Sequence, residues 1–448
     1  MAESVNLWVA SGDVSPRHEY VAYILFDVVL GRPYHWCNSV SDWTESDGLK
    51  IQYGGTHPTA TDVAWIPACG LLEGTALEHS ALSTWSDEKG PGVPGEGRLP
   101  FGVPNAPAAR VDADWWSWVF WMVTRMEEFN ASQSAFDGMG RFQAFASIAQ
   151  REGWLLRPEV EARIRAWAAS VGLTPQPQAY TVHPTIDIDS AYAYRHRSAL
   201  RTLGATAKDA MSGNTARLVE RYRVLILGQL DPYDTYEWLE SLHAACGLKA
   251  RYFFLLADRG PYDRPVNWRQ PGLRSLVQRL SQSAFIGIHP GVASHESSDS
   301  ERLKTEINRL EELSNGSVQH ARQHYLLQRL PDTWRRLEAA GIRHDHSLGY
   351  ADHIGFRAGM SRPFRAFDAA ANRMMNLTIH PVSAMDATLN RYMGLTPNQA
   401  LDALEQLAQE VKAVEGQLTL LWHNETVSEC NEWTGWRAVY EQVFERVC

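Results

Sequence analysis

Cysteine is scarce in this sequence, and nothing in its placement makes a site. Cys37, Cys69, Cys246, Cys430 and Cys448 are scattered through 448 residues, odd in number and without a C-x-x-C pair. That pattern argues against a disulfide framework and a thiolate zinc site, and makes a reducing compartment the default. The first residues lack the basic and apolar regions of a secretion signal. The longest apolar run, Trp115–Val123, is about half the length needed to cross a bilayer. A cytoplasmic protein with no membrane segment is therefore expected. Basic residues are in deficit, 42 Lys and Arg against 52 Asp and Glu, for a net charge of −10. A nucleic-acid partner would normally require a basic face, so none is expected. No dinucleotide or phosphate-loop glycine motif and no G-x-S-x-G elbow occurs, which removes the common nucleotide and serine-hydrolase readings.

What is present is a globular composition, 44% apolar and 21% charged, with 17 Trp and 16 His. The length exceeds a usual domain, so two are expected. Gly90–Pro107 reads as a loop, Asp112–Phe129 and Arg157–Ser170 as helices, and Gly172–Gln178 as a linker. The boundary is placed there, giving an α/β N-terminal domain over 1–175 and a second domain over 176–448. Eleven of the Trp residues fall at or before Trp167, which suggests an aromatic core in the first domain rather than a ligand platform in the second.

Beyond the linker, short apolar runs alternate with amphipathic helix patterns. The expected strands are Tyr180–Ile188, Ala250–Leu256, Ala284–His289, Val318–Leu326, Ile342–Ser347, Leu377–Pro381 and Gln417–His423. Such alternation implies a parallel sheet with covering helices, and about seven units suit a (β/α) barrel. Its site should lie at the carboxyl ends of the strands. Chemistry-capable residues collect there. Asp187 and Asp189 share a face because side chains alternate along a strand. His289 ends the third strand, Arg322 and His324 share a face on the fourth, and His423 ends the last. Asp345, Arg357 and Asp386 finish or follow others. A carboxylate and imidazole set of this kind suits a divalent metal with an open position. His295 reads more simply as a solvated loop residue, and His344, His346 and His353 are ambiguous.

These residues resemble the polysaccharide deacetylase family, carbohydrate esterase family four. Thr185-Ile186-Asp187-Ile188-Asp189 corresponds to its T-F-D-D-G strand in a D-x-D form. Arg322-Gln323-His324-Tyr325 is similar to its R-x-P-Y strand, and Leu420-Leu421-Trp422-His423 to its closing L-x-x-H. The H-[ST]-x-x-H motif is matched only at His289, because Ala293 stands where the second His belongs. The resemblance extends over about residues 110–448. It is closer to a bacterial subgroup with an extra N-terminal domain, through Asp231-Pro232-Tyr233-Asp234-Thr235-Tyr236 and Gly355-Phe356-Arg357-Ala358-Gly359.

The resemblance implies a deformed (β/α) barrel and a metal-dependent hydrolase that removes acetyl from an N-acetylated sugar or glycan precursor. Asp187 would be the general base, and Asp189 and His289 metal ligands. His324, which replaces the family's Pro, is favoured as the third ligand, with His295 or water as alternatives. Zn²⁺ heads the candidates, and Co²⁺, Ni²⁺ or Fe²⁺ would fit the same set. His423 would protonate the departing amine, and Arg322 would pair with Asp187 beside the substrate. Arg357 and Asp386 are expected to bind polar substrate groups, or else to close a structural ion pair beneath the site. Trp422, Tyr192 and Trp238 are candidates for stacking on a sugar, or for core packing. Two other readings fit the residues: a cyclic-imide or ureide hydrolase, and a non-catalytic glycan-binding or biosynthesis-accessory protein. The sequence does not fix the oligomeric state.

Overall fold

The structure is a computed structural model that describes residues 4–60, 62–74, 114–129, 131–296 and 300–447. The expected Gly90–Pro107 loop lies outside them. The first sheet is wholly parallel, with β1 (Val5–Val9), β2 (Tyr34–Trp36), β3 (Leu49–Tyr53) and β4 (Val63–Ile66) in the order β2-β1-β3-β4. Against it packs a helix, Pro16–Ala22, running on as a π-helix over Tyr23–Leu30. Ser15 and His18 close its amino end in a reciprocal capping box. The apolar run forms the helix Trp115–Val123, started by Asp114, whose carboxylate accepts from the Ser117 amide. It is apolar on every face but for Ser117, whose hydroxyl donates to Asp114, and each of its nine residues is buried, as expected of a helix enclosed by its neighbours. Among the described residues no helix is long and apolar enough to cross a membrane.

The second sheet has nine strands. These are β5 (Thr181–Ile188), β6 (Arg251–Leu255), β7 (Phe285–His289), β8 (His320–Ala321), β9 (His344–Asp345), β10 (Phe364–Asp368), β11 (Arg373–Ile379), β12 (Ala384–Met385) and β13 (Gln417–His423). Their order is β10-β11-β9-β8-β7-β6-β5-β13-β12, parallel except for the β10/β11 hairpin. The expected strand over 318–326 is cut to two residues, because the chain turns into a 3₁₀ segment, His324–Leu326, with Tyr325 at φ 58°.

The sheet curls strongly. Seven strand spacings separate β11 from β12 in the order, about 34 Å if the sheet were flat. Yet the chain passes from Ile379 to Ala384, a step of five residues that reaches about 18 Å at most. The ends of the sheet must therefore approach one another. No ladder joins them among the described residues, so the expected barrel is an open curl bridged by chain, and it has nine strands instead of about seven.

The two sheets share one contiguous hydrophobic core. The Phe367 ring lies 4.8 Å from Tyr20 and 5.1 Å from Phe120, and the Tyr20 hydroxyl donates to the Arg365 carbonyl at 2.7 Å. Glu161 accepts from the amides of Ser361 and Arg362 and from the Arg362 guanidinium. Glu128 takes both arms of Arg357, at 2.9 and 2.7 Å. Close approach here depends on glycine. A Cβ on Gly355, at φ +133°, would fall 2.3 Å from the Leu155 carbonyl oxygen.

Candidate functional site

Strand β5 delivers Asp187 within its last turn of pleat and Asp189 just beyond it, both on one face. Arg322, fully buried, donates to Asp187 Oδ1 at 3.0 Å and to Thr185 Oγ1 at 2.7 Å, while its Nε donates to the His346 carbonyl. Asp187 is thus held at one oxygen; its Oδ2 lies 3.6 Å from His289 Nε2.

Both neighbouring imidazoles are oriented from behind. His289 Nδ1 donates to the Arg322 carbonyl at 2.6 Å, so Nε2 carries the lone pair. His324 Nδ1 bonds Asp263 Oδ1 at 2.8 Å and likewise turns Nε2 forward. His289 Nε2 is 3.3 Å from Asp189 Oδ1, and His324 Nε2 is 3.3 Å from Asp189 Oδ2. One ligand atom from each of Asp189, His289 and His324 lies within 4.8 Å of the others. Asp189 Oδ1 and His289 Nε2 are buried without a hydrogen-bond partner. Leaving such atoms unpaired is costly, and a divalent cation would satisfy both. Burial alone would raise the Asp189 carboxyl, but His324, His289 and His423 hold it well below the usual range. For His324 burial is likewise overcome, here by Asp189 and Asp263, which raise it to about 9.

Across the site, His423 Nδ1 lies 2.9 and 3.1 Å from the two oxygens of Asp386, which also accepts from the His423 amide and the Thr426 hydroxyl. Burial would lower this imidazole, but Asp386, then Asp189 and Asp187, raise it to about 10. It therefore stands protonated near neutrality, with Nε2 available to a cavity of about 360 Å³. Asp187, Asp189, His324 and His423 line that cavity. So does Glu425, whose carboxyl is pushed up to about 7 by burial and by Asp189. The outer wall is aromatic and basic, with Tyr325, Tyr392, Trp433 and Arg391. Arg141, from the N-terminal part of the chain, completes it and donates to the Tyr392 hydroxyl at 3.0 Å.

Several expected substrate contacts fall elsewhere. Trp422 is fully buried against Tyr440, with ring centroids 5.1 Å apart, and shows no open face. Tyr192 is buried against His196 and Tyr236, away from the cavity lining. Trp238 packs on Tyr440 under Arg437. Arg357 is consumed by Glu128 and the Gly349 carbonyl. Asp386 reaches the site through His423 and Thr426, and Arg322 through Asp187 and, by its carbonyl, His289. His295 is not in the three-donor group; its ring is buried, and burial together with Arg336 and Arg329 lowers it to about 4. Asp345 accepts from Ser347 and Gln328 beneath the site, and His353 bonds the Ile354 carbonyl.

His344 and His346 belong to a second constellation. His320 Nδ1 lies 3.0 Å from His346 Nε2, and His344 Nδ1 lies 3.1 Å from His380 Nε2. The two pairs stack, with His320 4.4 Å from His344 and His346 4.2 Å from His380. His183 joins through Arg251, at 3.3 Å. Phe253 connects this layer to the site, lying 4.5 Å under the Arg322 guanidinium and 5.0 Å from His346.

Sequence reasoning missed Asp263, Arg141 and the Tyr392/Trp433 wall, and gave Glu425 no role. Asp263 carries no signal beyond its place in a Gly/Pro loop after β6. The aromatic pair could have been sought in loops following strand carboxyl ends.

A family of unknown function, DUF7033, matches residues 7–171. No curated protein matches the chain. Among solved structures, a Mycobacterium smegmatis protein provisionally classed as a polysaccharide deacetylase is 15% identical, covering 60% of this chain and 85% of its own, with a TM-score of 0.39. A polysaccharide deacetylase of Bacillus cereus is 10% identical, covering 60% and 88%, with a TM-score of 0.29. A Bacillus anthracis protein described as a CE4 family pseudoenzyme is also 10% identical, covering 60% and 62%, with a TM-score of 0.26. Likeness at this level specifies neither activity nor substrate.

Proposed function

We propose that the chain is a metal-dependent hydrolase that removes an acetyl group from an N-acetylated sugar or glycan precursor. The observation that carries this reading is the orphaned pair Asp189 Oδ1 and His289 Nε2, buried beside a cavity that Asp187, Asp189, His324 and His423 line. Asp189, His289 and His324 would hold a divalent metal, Zn²⁺ first by donor type. When bound, such an ion supplies Lewis acidity toward a carbonyl oxygen and acidifies water. Asp187, fixed by Arg322, would accept the proton of an attacking water. His423, oriented by Asp386, would return a proton to the departing amine. Tyr392, 46% exposed, offers its ring to a sugar, while Trp433 is buried beneath Arg391 and backs that wall. The motif resemblance at Asp187, Asp189, Arg322 and His423 supports the same roles.

The test joins metal analysis with acetate release from N-acetylglucosamine oligomers. About one equivalent of metal is expected, with acetate release lost in Asp187→Asn and metal lost in His289→Ala. Stoichiometric metal without acetate release from any N-acetylated sugar would overturn the substrate class and leave the ureide reading. Absence of metal, with no rescue on addition, would leave the non-catalytic one.

A further inference from the structure

Between β5 and the helix Tyr236–Ala245 the chain forms a helical hairpin, Ala199–Met211 and Thr215–Leu225. Its exposure is inverted. Nine of the fourteen large apolar residues exposed among the described residues lie between 200 and 230. Leu200, Leu203 and Met211 are 84%, 66% and 90% exposed, and their spacing makes one stripe along the first helix. Val219, Tyr222 and Ile226 repeat that spacing along and just past the second, at 48%, 54% and 67%. A surface helix normally turns such a stripe to the core. Here Asp209 and Arg221, joined to each other, are among the few buried positions of the pair. A contiguous exposed apolar surface of this kind marks an interaction face.

Charge selects the partner. Residues 195–230 carry seven Lys and Arg against Asp209 and Glu220, a local balance of +5 in a chain of −10. Two copies of the hairpin face to face would oppose like charges. At the hairpin's base lies a cavity of about 260 Å³, lined by Arg197, Arg201, Arg259 and Arg269. The acid on its wall, Asp258, is engaged by Arg309. Arg201 donates to main-chain carbonyls only, at 3.2 and 3.4 Å, and Arg197 Nε is buried without a partner. Four guanidinium groups gathered around a single carboxylate, itself paired with Arg309, suit a phosphate. Apolar stripes edged by cations, beside such a pocket, are the makings of an interfacial element for an anionic bilayer.

We propose that this hairpin docks on an anionic phospholipid bilayer, its apolar stripes entering the interface and the arginine cavity receiving a headgroup phosphate. The hairpin is tied to the rim of the candidate site. Asp231 accepts from the amides of Ala193, Tyr194 and Arg195 at 2.7, 2.8 and 2.9 Å, and Asn424, beside His423, donates to the Ser190 and Tyr233 carbonyls. Docking would set that rim at the membrane. The proposal does not depend on the hydrolase reading.

The test is co-sedimentation of the full chain with vesicles of phosphatidylcholine alone or mixed with phosphatidylglycerol. Binding to the mixed vesicles is expected to be about ten-fold tighter or more, and to weaken with salt. Leu203→Asp with Met211→Asp should abolish it, and Arg201→Glu with Arg259→Glu should remove the preference for anionic lipid. Melting temperature should stay unchanged in the leucine and methionine variant, whose side chains lie at the surface, and fall slightly in the arginine variant, where half-buried Arg201 gives up two main-chain bonds. Failure to sediment with mixed vesicles overturns the proposal. So does pyrophosphate binding that needs Arg201 and Arg259 without any vesicle binding, which assigns the cavity to a soluble phosphate. A dimer dissociated by Leu203→Asp with Met211→Asp also overturns it, in favour of a second copy.

Discussion

At the scale of single residues, the site depends on what stands behind each donor. His324 faces Asp189 because Asp263 holds its other nitrogen at 2.8 Å. Asp263→Asn keeps the shape but removes the charge, and is expected to weaken metal affinity about 10- to 100-fold, read by competition with a chromophoric chelator. Affinity equal to wild type would show that His324 is oriented by packing alone. The donors themselves were legible in the sequence, because period-two alternation put Asp187 and Asp189 on one face and strand ends gathered His289 and His423. Asp263 was not, since a loop residue acquires its neighbour only when the fold is complete. Arg357 shows the converse. An arginine after a strand reads as a substrate contact until Glu128, 229 residues away, claims it.

At the scale of elements, the imidazole layer beneath Arg322 makes stability depend on pH. Burial, then His344 and Arg251, hold His320 down at about 3; burial and Arg251 hold His183 at about 4. His346 and His380 are lowered well below the ordinary range by burial and neighbouring cations and imidazoles. An unfolded histidine takes its proton near pH 6.5. Between that value and the folded ones, the unfolded chain binds protons that the fold refuses, so stability falls as pH drops from about 6.5. Melting temperature should therefore decline from about pH 6.5 to pH 5, where the lowered imidazoles outnumber raised groups such as Glu425 that act in the opposite sense. His320→Gln with His380→Gln should flatten the decline, and an unchanged slope would refute the assignment. The sequence put His289 and His423 at the carboxyl ends of strands and left His344 and His346 ambiguous. The structure brings the first two to the site and the second two into this inner layer, because alternation fixes the face of a residue but not its depth in a curled sheet.

At the scale of the whole molecule, the linker expected near residue 175 separates two sheets but not two cores. Phe367 packs on Tyr20 and Phe120, and Glu161 and Glu128 neutralise the buried Arg362 and Arg357. Stranding each buried arginine would cost about 3–5 kcal/mol, against a total stability of about 5–15 kcal/mol. A chain starting at residue 176 is therefore expected to lack a cooperative melt, while the full chain gives one calorimetric transition. Two separated transitions in the full chain would show that the sheets unfold independently. Composition and turn residues made the linker visible, but an interface between distant segments leaves no local trace. The same architecture orders events during synthesis. β5 lies between β6 and β13, and the Thr185 hydroxyl bonds the Leu420 carbonyl 235 residues later. Until β13 leaves the ribosome, β5 keeps an unpaired edge beside its two aspartates. The nascent chain thus passes through a long interval in which its reactive strand is most open to wrong pairing, and most in need of a chaperone.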